Sequence, residues 1–160
     1  MRRAPIFVAL ALGVAIGWVL LLPAWPIAQP VAFNHARHGG LACAVCHRGV
    51  ETSSRAGLPD GGVCAKCHAT PPRGEDPARW EEFLAPDGAR WVRVTRVPDH
   101  VLFSHRRHVS LARLECSSCH GDIGRRVAPP ARAPVRLDMS GCLSCHRREG
   151  ASEDCAACHR

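Results

Sequence analysis

Residues 33–47 read FNHARHGGLACAVCH, and residues 103–120 read FSHRRHVSLARLECSSCH. Both stretches hold a Phe-x-His-x-x-His unit followed by Cys-x-x-Cys-His. The cysteine part recurs five times, at Cys43, Cys46 and His47; Cys64, Cys67 and His68; Cys116, Cys119 and His120; Cys142, Cys145 and His146; and Cys155, Cys158 and His159. These five motifs take all 10 cysteines of the chain. Two thiols about one helical turn apart can add across two vinyl groups on one porphyrin edge, and the imidazole of the next residue then lies beneath the ring to ligate iron. Cys-x-x-Cys-His is accordingly the attachment signature of c-type haem.

Other uses of the cysteines fit less well. A four-sulfur zinc ribbon takes Cys-x-x-Cys pairs two at a time, and five is odd. Disulfides give no reason for histidine to follow every second cysteine. With 10 histidines in 160 residues, five such placements by accident have a frequency on the order of one in a million.

Composition agrees with a chain built around cofactors. It has four Phe, four Trp, two Met and no Tyr, too few large side chains for an ordinary core. Residues 30–160 would give each of five haems about 26 residues, so the haems themselves form the interior. The expected architecture is a class III-like multihaem cytochrome c, mostly irregular, with short α-helices around stacked haems. At 160 residues the chain makes one domain plus an anchor, which excludes a large two-domain enzyme.

Five histidines remain: His35, His38, His100, His105 and His108. Five irons with one motif histidine apiece need five further ligands. His35 and His38 end five residues before Cys43, and His105 and His108 end eight before Cys116. Histidines at i and i+3 project from one side of a turn and cannot take opposite faces of one iron, so each serves a different haem. That spacing stitches neighbouring haems together. His100, in VPDHVLF (97–103), lies outside the repeat. Met139, three residues before Cys142, competes with it for the fifth distal position, and a methionine ligand would raise that haem's potential.

No charged residue occurs between Ala4 and Asn34, and Ile6 to Leu22 is an apolar run of 17. With Arg2 and Arg3 before it, the run is expected to span the cytoplasmic membrane once, with the amino end inside and the haem domain in the periplasm. Trp18 and Trp25 would stand near the outer interface. A cleaved secretory signal is the alternative, but Trp25, Pro26 and Ile27 spoil the small-x-small spacing of a cleavage site. Residues 1–29 are therefore taken as anchor or uncleaved signal. Residues 30–68 form a two-haem part, 69–98 a linker and 99–160 a three-haem part.

In the linker, Asp76 to Leu84 is expected to be a helix capped by Asp76 with Pro77 at its first position, and Trp91 to Val97 alternates like a strand. Trp80 and Trp91 are expected to pack on haem faces or on a partner. The net charge of +7 comes from 20 Arg and one Lys against 14 acidic residues. Five haems bring roughly ten propionates for pairs such as Arg106 and Arg107, Arg125 and Arg126, and Arg147 and Arg148 to meet. An exported basic chain has no nucleic acid to bind.

The segments PVAFNHARHGGLACAVCH (30–47), RAGLPDGGVCAKCH (55–68), WVRVTRVPDHVLFSHRRH (91–108) and LDMSGCLSCHRREGASEDCAACH (137–159) together resemble the membrane-anchored pentahaem subunit of alternative complex III, with relatives among quinone reductase complexes and class III (c3 and c7 type) cytochromes. The resemblance covers most of the exported part. It implies an electron-transfer subunit that is not catalytic alone and carries five haem c groups. Electrons would pass from a quinol-oxidising complex to a periplasmic cytochrome or oxidase, alongside iron–sulfur or molybdopterin-like and polytopic quinol-binding subunits. In that family an aromatic usually stands where this chain has His100, and a methionine resembling Met139 precedes the fourth motif. The resemblance therefore implies Met139 as the fifth distal ligand. The alternative function is a stand-alone quinol dehydrogenase feeding a periplasmic reductase, with Glu51, Asp60 or Lys66 as proton acceptor. A catalytic multihaem enzyme would need an open iron, which the supply of histidines argues against.

Overall fold

The computed structural model describes residues 4–21 and 27–160. The chain runs from an apolar helix, α1 (Ala4–Leu21), into a series of short turns and helices: 3₁₀ turns at His35–His38 and Cys43–Val45, α2 (Gly61–Ala65), α3 (Pro77–Leu84), a π-helical turn at Arg106–Leu111, α4 (Ser117–His120), a 3₁₀ turn at Ile123–Arg125, α5 (Met139–Glu149) and α6 (Cys155–Cys158). Four of the five cysteine motifs start within one of these turns or helices, and the third starts at Cys116, the residue before α4. The mostly irregular, short-helix architecture is as the motif spacing implied.

Segments of three to eight residues do not hold a helical conformation by themselves. Side-chain caps fix their starts instead. Asn34, Asp60, Asp76, Asp138 and Asp154 each accept a backbone N–H from the turn that follows, at 2.9–3.1 Å. α3 begins as its sequence predicts, with Pro77 first and Asp76 accepting from Arg79 N. At the other end of α5, Gly150 takes the left-handed conformation, φ 64°, which glycine enters at little cost.

The apolar core is small. Val31, Val50, Val63, Trp80 and Phe83 are its buried members among the described residues. Val31, Trp80 and Phe83 form one cluster, against which Phe33, Cys64, Leu84, Ala89 and Trp91 pack. The Trp80 and Phe83 rings stack at 5.4 Å. Residues 29–32 are tied to the same cluster: Gln29 exchanges two hydrogen bonds with Val92, Arg79 donates to Pro30 O, and Ala32 N donates to Glu75. The accessible surface of the polypeptide is 12457 Å², against roughly 7,800 Å² expected for a compact monomer of this mass. Side chains alone do not close this fold.

α2 lies against α3 because Gly61 lacks a side chain. A Cβ there would stand 2.6 Å from Phe83 O and 2.7 Å from Leu84 Cα, both backbone atoms. Gly61→Ala is expected to cost about 1–3 kcal/mol through overpacking. The cost should be read as faster unfolding in guanidinium chloride, and an unchanged rate would show that α3 yields freely.

One expectation is corrected. Trp91 to Val97 forms no strand, and the described residues contain only an isolated antiparallel bridge between Val101 and His159. The alternation instead turns Trp91 into the core, where its Nε1 donates to Pro59 O at 2.7 Å. The span expected over Ile6 to Leu22 runs to the edge of the described residues, and among these no helix is long and apolar enough to cross a membrane. Arg2, Arg3, Leu22 and Trp25 lie outside the described residues, as does the start of the cleavage-site segment. Trp18 closes the apolar face with 67% of its surface exposed.

Candidate functional site

The histidines come together in pairs. Each pair joins one motif histidine to one of the five others. His38 and His68 have ring centroids 6.0 Å apart. His105 and His120 are 6.3 Å apart and nearly parallel, at 3°. His108 and His146 are 6.2 Å apart, and His100 and His159 are 5.5 Å apart at 21°. His35 and His47 are the two histidines left over, and a positive charge on His47 would add to burial in depressing the basicity of His35.

These separations suit one metal atom between two rings. Two imidazole–metal bonds of about 2.0–2.1 Å and two ring radii near 1.1 Å place trans centroids roughly 6.3 Å apart. Among the described residues no group of three or more His, Cys, Asp and Glu is arranged to hold a bare ion. Donors that come only in twos suit an iron whose other four bonds come from a porphyrin, and not a zinc ribbon.

Backbone carbonyls set the ring tautomers. Nδ1 of His38, His47, His105, His108 and His146 lies 2.6–3.0 Å from the carbonyls of Asn34, Gly57, Ser54, Ser104 and Ser152 respectively. A carbonyl oxygen only accepts, so Nδ1 carries the hydrogen and Nε2 keeps its lone pair for a metal. Burial, and then neighbouring histidines, push His35 and His120 below the ordinary histidine range. Both are therefore neutral at pH 7, as ligation requires.

Phe33 and Phe103 play matching parts in the two repeated units. Phe33 meets His35 edge-on at 4.7 Å and stacks on His38 at 4.7 Å, while Phe103 meets His105 at 4.9 Å and stacks on His108 at 4.6 Å. One aromatic ring thus turns two histidines toward different motifs. The second unit winds as a π turn, with Ala112 N donating to Arg107 O at 2.9 Å, and this accommodates its longer path to Cys116.

His100 is held by the carboxyl end of the chain. Leu102 N donates to Cys158 O at 2.8 Å, Arg160 N donates to His100 O at 3.2 Å, and the Arg160 guanidinium donates to Asp99 O at 2.9 Å. Met139, expected in the fifth distal position, opens α5 with 60% of its surface exposed. It is His100 that stands against a motif histidine.

No two of the 10 cysteines are joined as a disulfide, and all lie at the surface or half-buried. Burial, reinforced by neighbouring thiols, pushes Cys46, Cys64, Cys116, Cys119 and Cys142 up from the ordinary thiol range. None of these five has the depressed pKa of a nucleophilic cysteine.

The sequence of residues 101–160 matches the family described as Cytochrome c7 and related cytochrome c, and residues 22–85 match the Class III cytochrome C family. The chain is also 31% identical, over 196 aligned positions, to the menaquinone reductase, multiheme cytochrome c subunit of Nitratidesulfovibrio vulgaris strain Hildenborough. That alignment covers 98% of this chain and 90% of the relative.

The chain belongs to the class III and c7-type multihaem cytochromes c.

Haem c is its cofactor type, and electron transfer as a multihaem subunit is its role. The cytochrome is thus related to a quinone-reducing complex, whereas the resemblance to alternative complex III pointed to a quinol-oxidising one. Three of the arginines named above form ion pairs within the polypeptide. Arg147 pairs with Glu153 at 2.7 Å, Arg148 with Glu149 at 3.0 Å and Arg125 with Asp122 at 3.7 Å, all exposed. Asp60 caps α2, and Glu51 and Lys66 are exposed.

Proposed function

We propose that the cytochrome is the electron-transfer subunit of a membrane quinone oxidoreductase complex and carries five haem c groups on residues 30–160. The observation that carries this reading is the set of four imidazole pairs, each joining a motif histidine to one of the others, with His35 and His47 the two that remain. Cys43 and Cys46, Cys64 and Cys67, Cys116 and Cys119, Cys142 and Cys145, and Cys155 and Cys158 would form the thioethers. His47, His68, His120, His146 and His159 would be proximal ligands. His35, His38, His105, His108 and His100 would be their distal partners, with His100 in the place first expected of Met139.

Bound haem c supplies a one-electron couple whose iron, with both axial positions filled, exchanges electrons with little rearrangement and binds no substrate. The polypeptide contributes orientation and protonation state. Carbonyl acceptors fix five rings, Phe33 and Phe103 hold the paired histidines apart, and burial keeps His35 and His120 neutral.

α1 is read as the attachment to the cytoplasmic membrane, with residues 30–160 in the periplasm. A helix that is apolar on every side, with Ile6, Phe7, Leu10 and Trp18 more than half exposed, finds its solvent in lipid. Proposed membrane partners are polytopic quinone-binding subunits and an iron–sulfur or molybdopterin-like subunit. A periplasmic cytochrome or oxidase would be the soluble partner. The potentials of these partners decide whether electrons move toward quinone, as the menaquinone reductase relative suggests, or away from it.

A pyridine haemochrome assay combined with intact mass is expected to give five haems per chain. Detergent extraction should bring the membrane subunits with it. Fewer haems, or isolation as a lone monomer, would overturn the reading.

A further inference from the structure

The two Phe-x-His-x-x-His units repeat in space as well as in sequence. Ala36 N donates to Arg126 O at 3.1 Å, and Arg106 N donates to Ser53 O at 2.9 Å. Ala36 and Arg106 are equivalent, each following the first histidine of its unit. Ser53 and Arg126 are equivalent too, each lying six residues past its motif histidine, His47 or His120. Each unit is therefore tied to the loop behind the other unit's motif. Such a reciprocal exchange is what a two-fold axis produces, and residues near the axis then meet their own counterparts. Cys43 and Cys116, each the first cysteine of its motif, do so with their Sγ atoms 4.0 Å apart. Further bonds close the junction, from Ser110 Oγ to Glu51 O at 2.6 Å and from His105 N to Ser54 O at 3.1 Å.

Within each half, one ligand unit clamps two motifs. His38 faces the second while its unit runs on within five residues into the first at Cys43, and His105 and His108 face the third and fourth. The fifth motif attaches to the fourth through the short connector 150–154 between α5 and α6, where His146 Nδ1 lies 2.6 Å from Ser152 O.

We propose that the haem sites form one unbranched row in the order second, first, third, fourth, fifth, built from two haem-pair modules joined first-to-third across a local two-fold axis. Order in space thus departs from order in sequence. The first motif lies inside the row, and the second and fifth are its ends, where partner redox centres are met. The second motif is the end tied to the chain emerging from α1, since Cys64 packs on the cluster of Val31, Trp80 and Phe83, and the ring of His68 stands 6.1 Å from that of Trp80.

This inference rests on the five-haem reading, and one experiment separates the two. The full-length cytochrome, fully reduced in detergent micelles, has diamagnetic low-spin iron suited to proton nuclear Overhauser spectroscopy. Single variants His38→Met, His105→Met and His108→Met each move one set of haem resonances and so assign it. His35→Met, or a thioether-proton assignment if that variant folds poorly, identifies the first haem. Five resonance sets are expected. Cross-peaks should join the haem on Cys43 and Cys46 to that on Cys116 and Cys119, and none should join the latter to the haem on Cys64 and Cys67. Fewer than five sets would defeat the haem count, and with it the row. Five sets with contacts following the sequence order would defeat the row alone.

Discussion

Replacing His100 with alanine is expected to leave four low-spin haems and turn the fifth into one that binds carbon monoxide and shows a high-spin paramagnetic signal. The argument is geometric. The bridge between Val101 and His159 and the hydrogen bonds from Leu102, Arg160 N and the Arg160 side chain fix the backbone on both sides of His100. They bring its ring within 5.5 Å of His159. Removing the imidazole leaves that backbone in place, so the change falls on the metal centre and not on the fold. His100→Met should keep the iron low-spin but raise the potential of that haem alone, because a thioether donates less to ferric iron than an imidazole does. Met139→Ala, by contrast, should leave carbon monoxide binding, the potentials and the near-infrared spectrum unchanged, since Met139 is exposed. A methionine–iron charge-transfer band in the unmodified cytochrome that vanishes in Met139→Ala would reverse this assignment.

The second large effect is expected from Phe83→Ala. Phe83 is 2% exposed and stacks on Trp80. Emptying such a site typically costs about 3–5 kcal/mol. In a chain with so few buried side chains, no second cluster shares the loss. The opening should be local, because α2, α3 and residues 29–33 meet at this cluster. Hydrogen exchange at amides of α2 and α3 should quicken about a hundredfold or more, the conversion of roughly 3 kcal/mol. Amides of α5, which lies outside the cluster, should keep their rates. Uniform acceleration along the whole chain would show that the cluster holds the entire fold and not one end of it.

The sequence carried most of the site because covalent attachment demands a fixed spacing. Cys-x-x-Cys-His is legible wherever it occurs, and His35, His38, His105 and His108 betray themselves by repetition. Asp76 and Pro77 announce α3 for an equally local reason, a carboxylate and a fixed φ at a helix start. What stayed hidden depends on contacts between distant parts. His100 looked ordinary because its neighbour is His159, brought back by a bridge no local pattern encodes. Trp91 to Val97 has the alternation of a strand but no partner strand, and packing decided its course. The two-fold relation between the halves was present in the repeated units. Its axis, however, rests on hydrogen bonds between residues 90 and 53 positions apart, Ala36 with Arg126 and Arg106 with Ser53.

The sparse polypeptide core also governs how the molecule is made and lost. Ordering the backbone costs about 1–2 kcal/mol per residue, far more than Val31, Val50, Val63, Trp80 and Phe83 return by burial. Assembly of this chain is therefore inseparable from haem ligation, and thioether formation makes it a one-way process. Such a molecule has no reversible melting point against which variants can be ranked. Its robustness is a lifetime, set by how slowly the axial histidines let go, and the useful scale for comparing variants is a rate of loss.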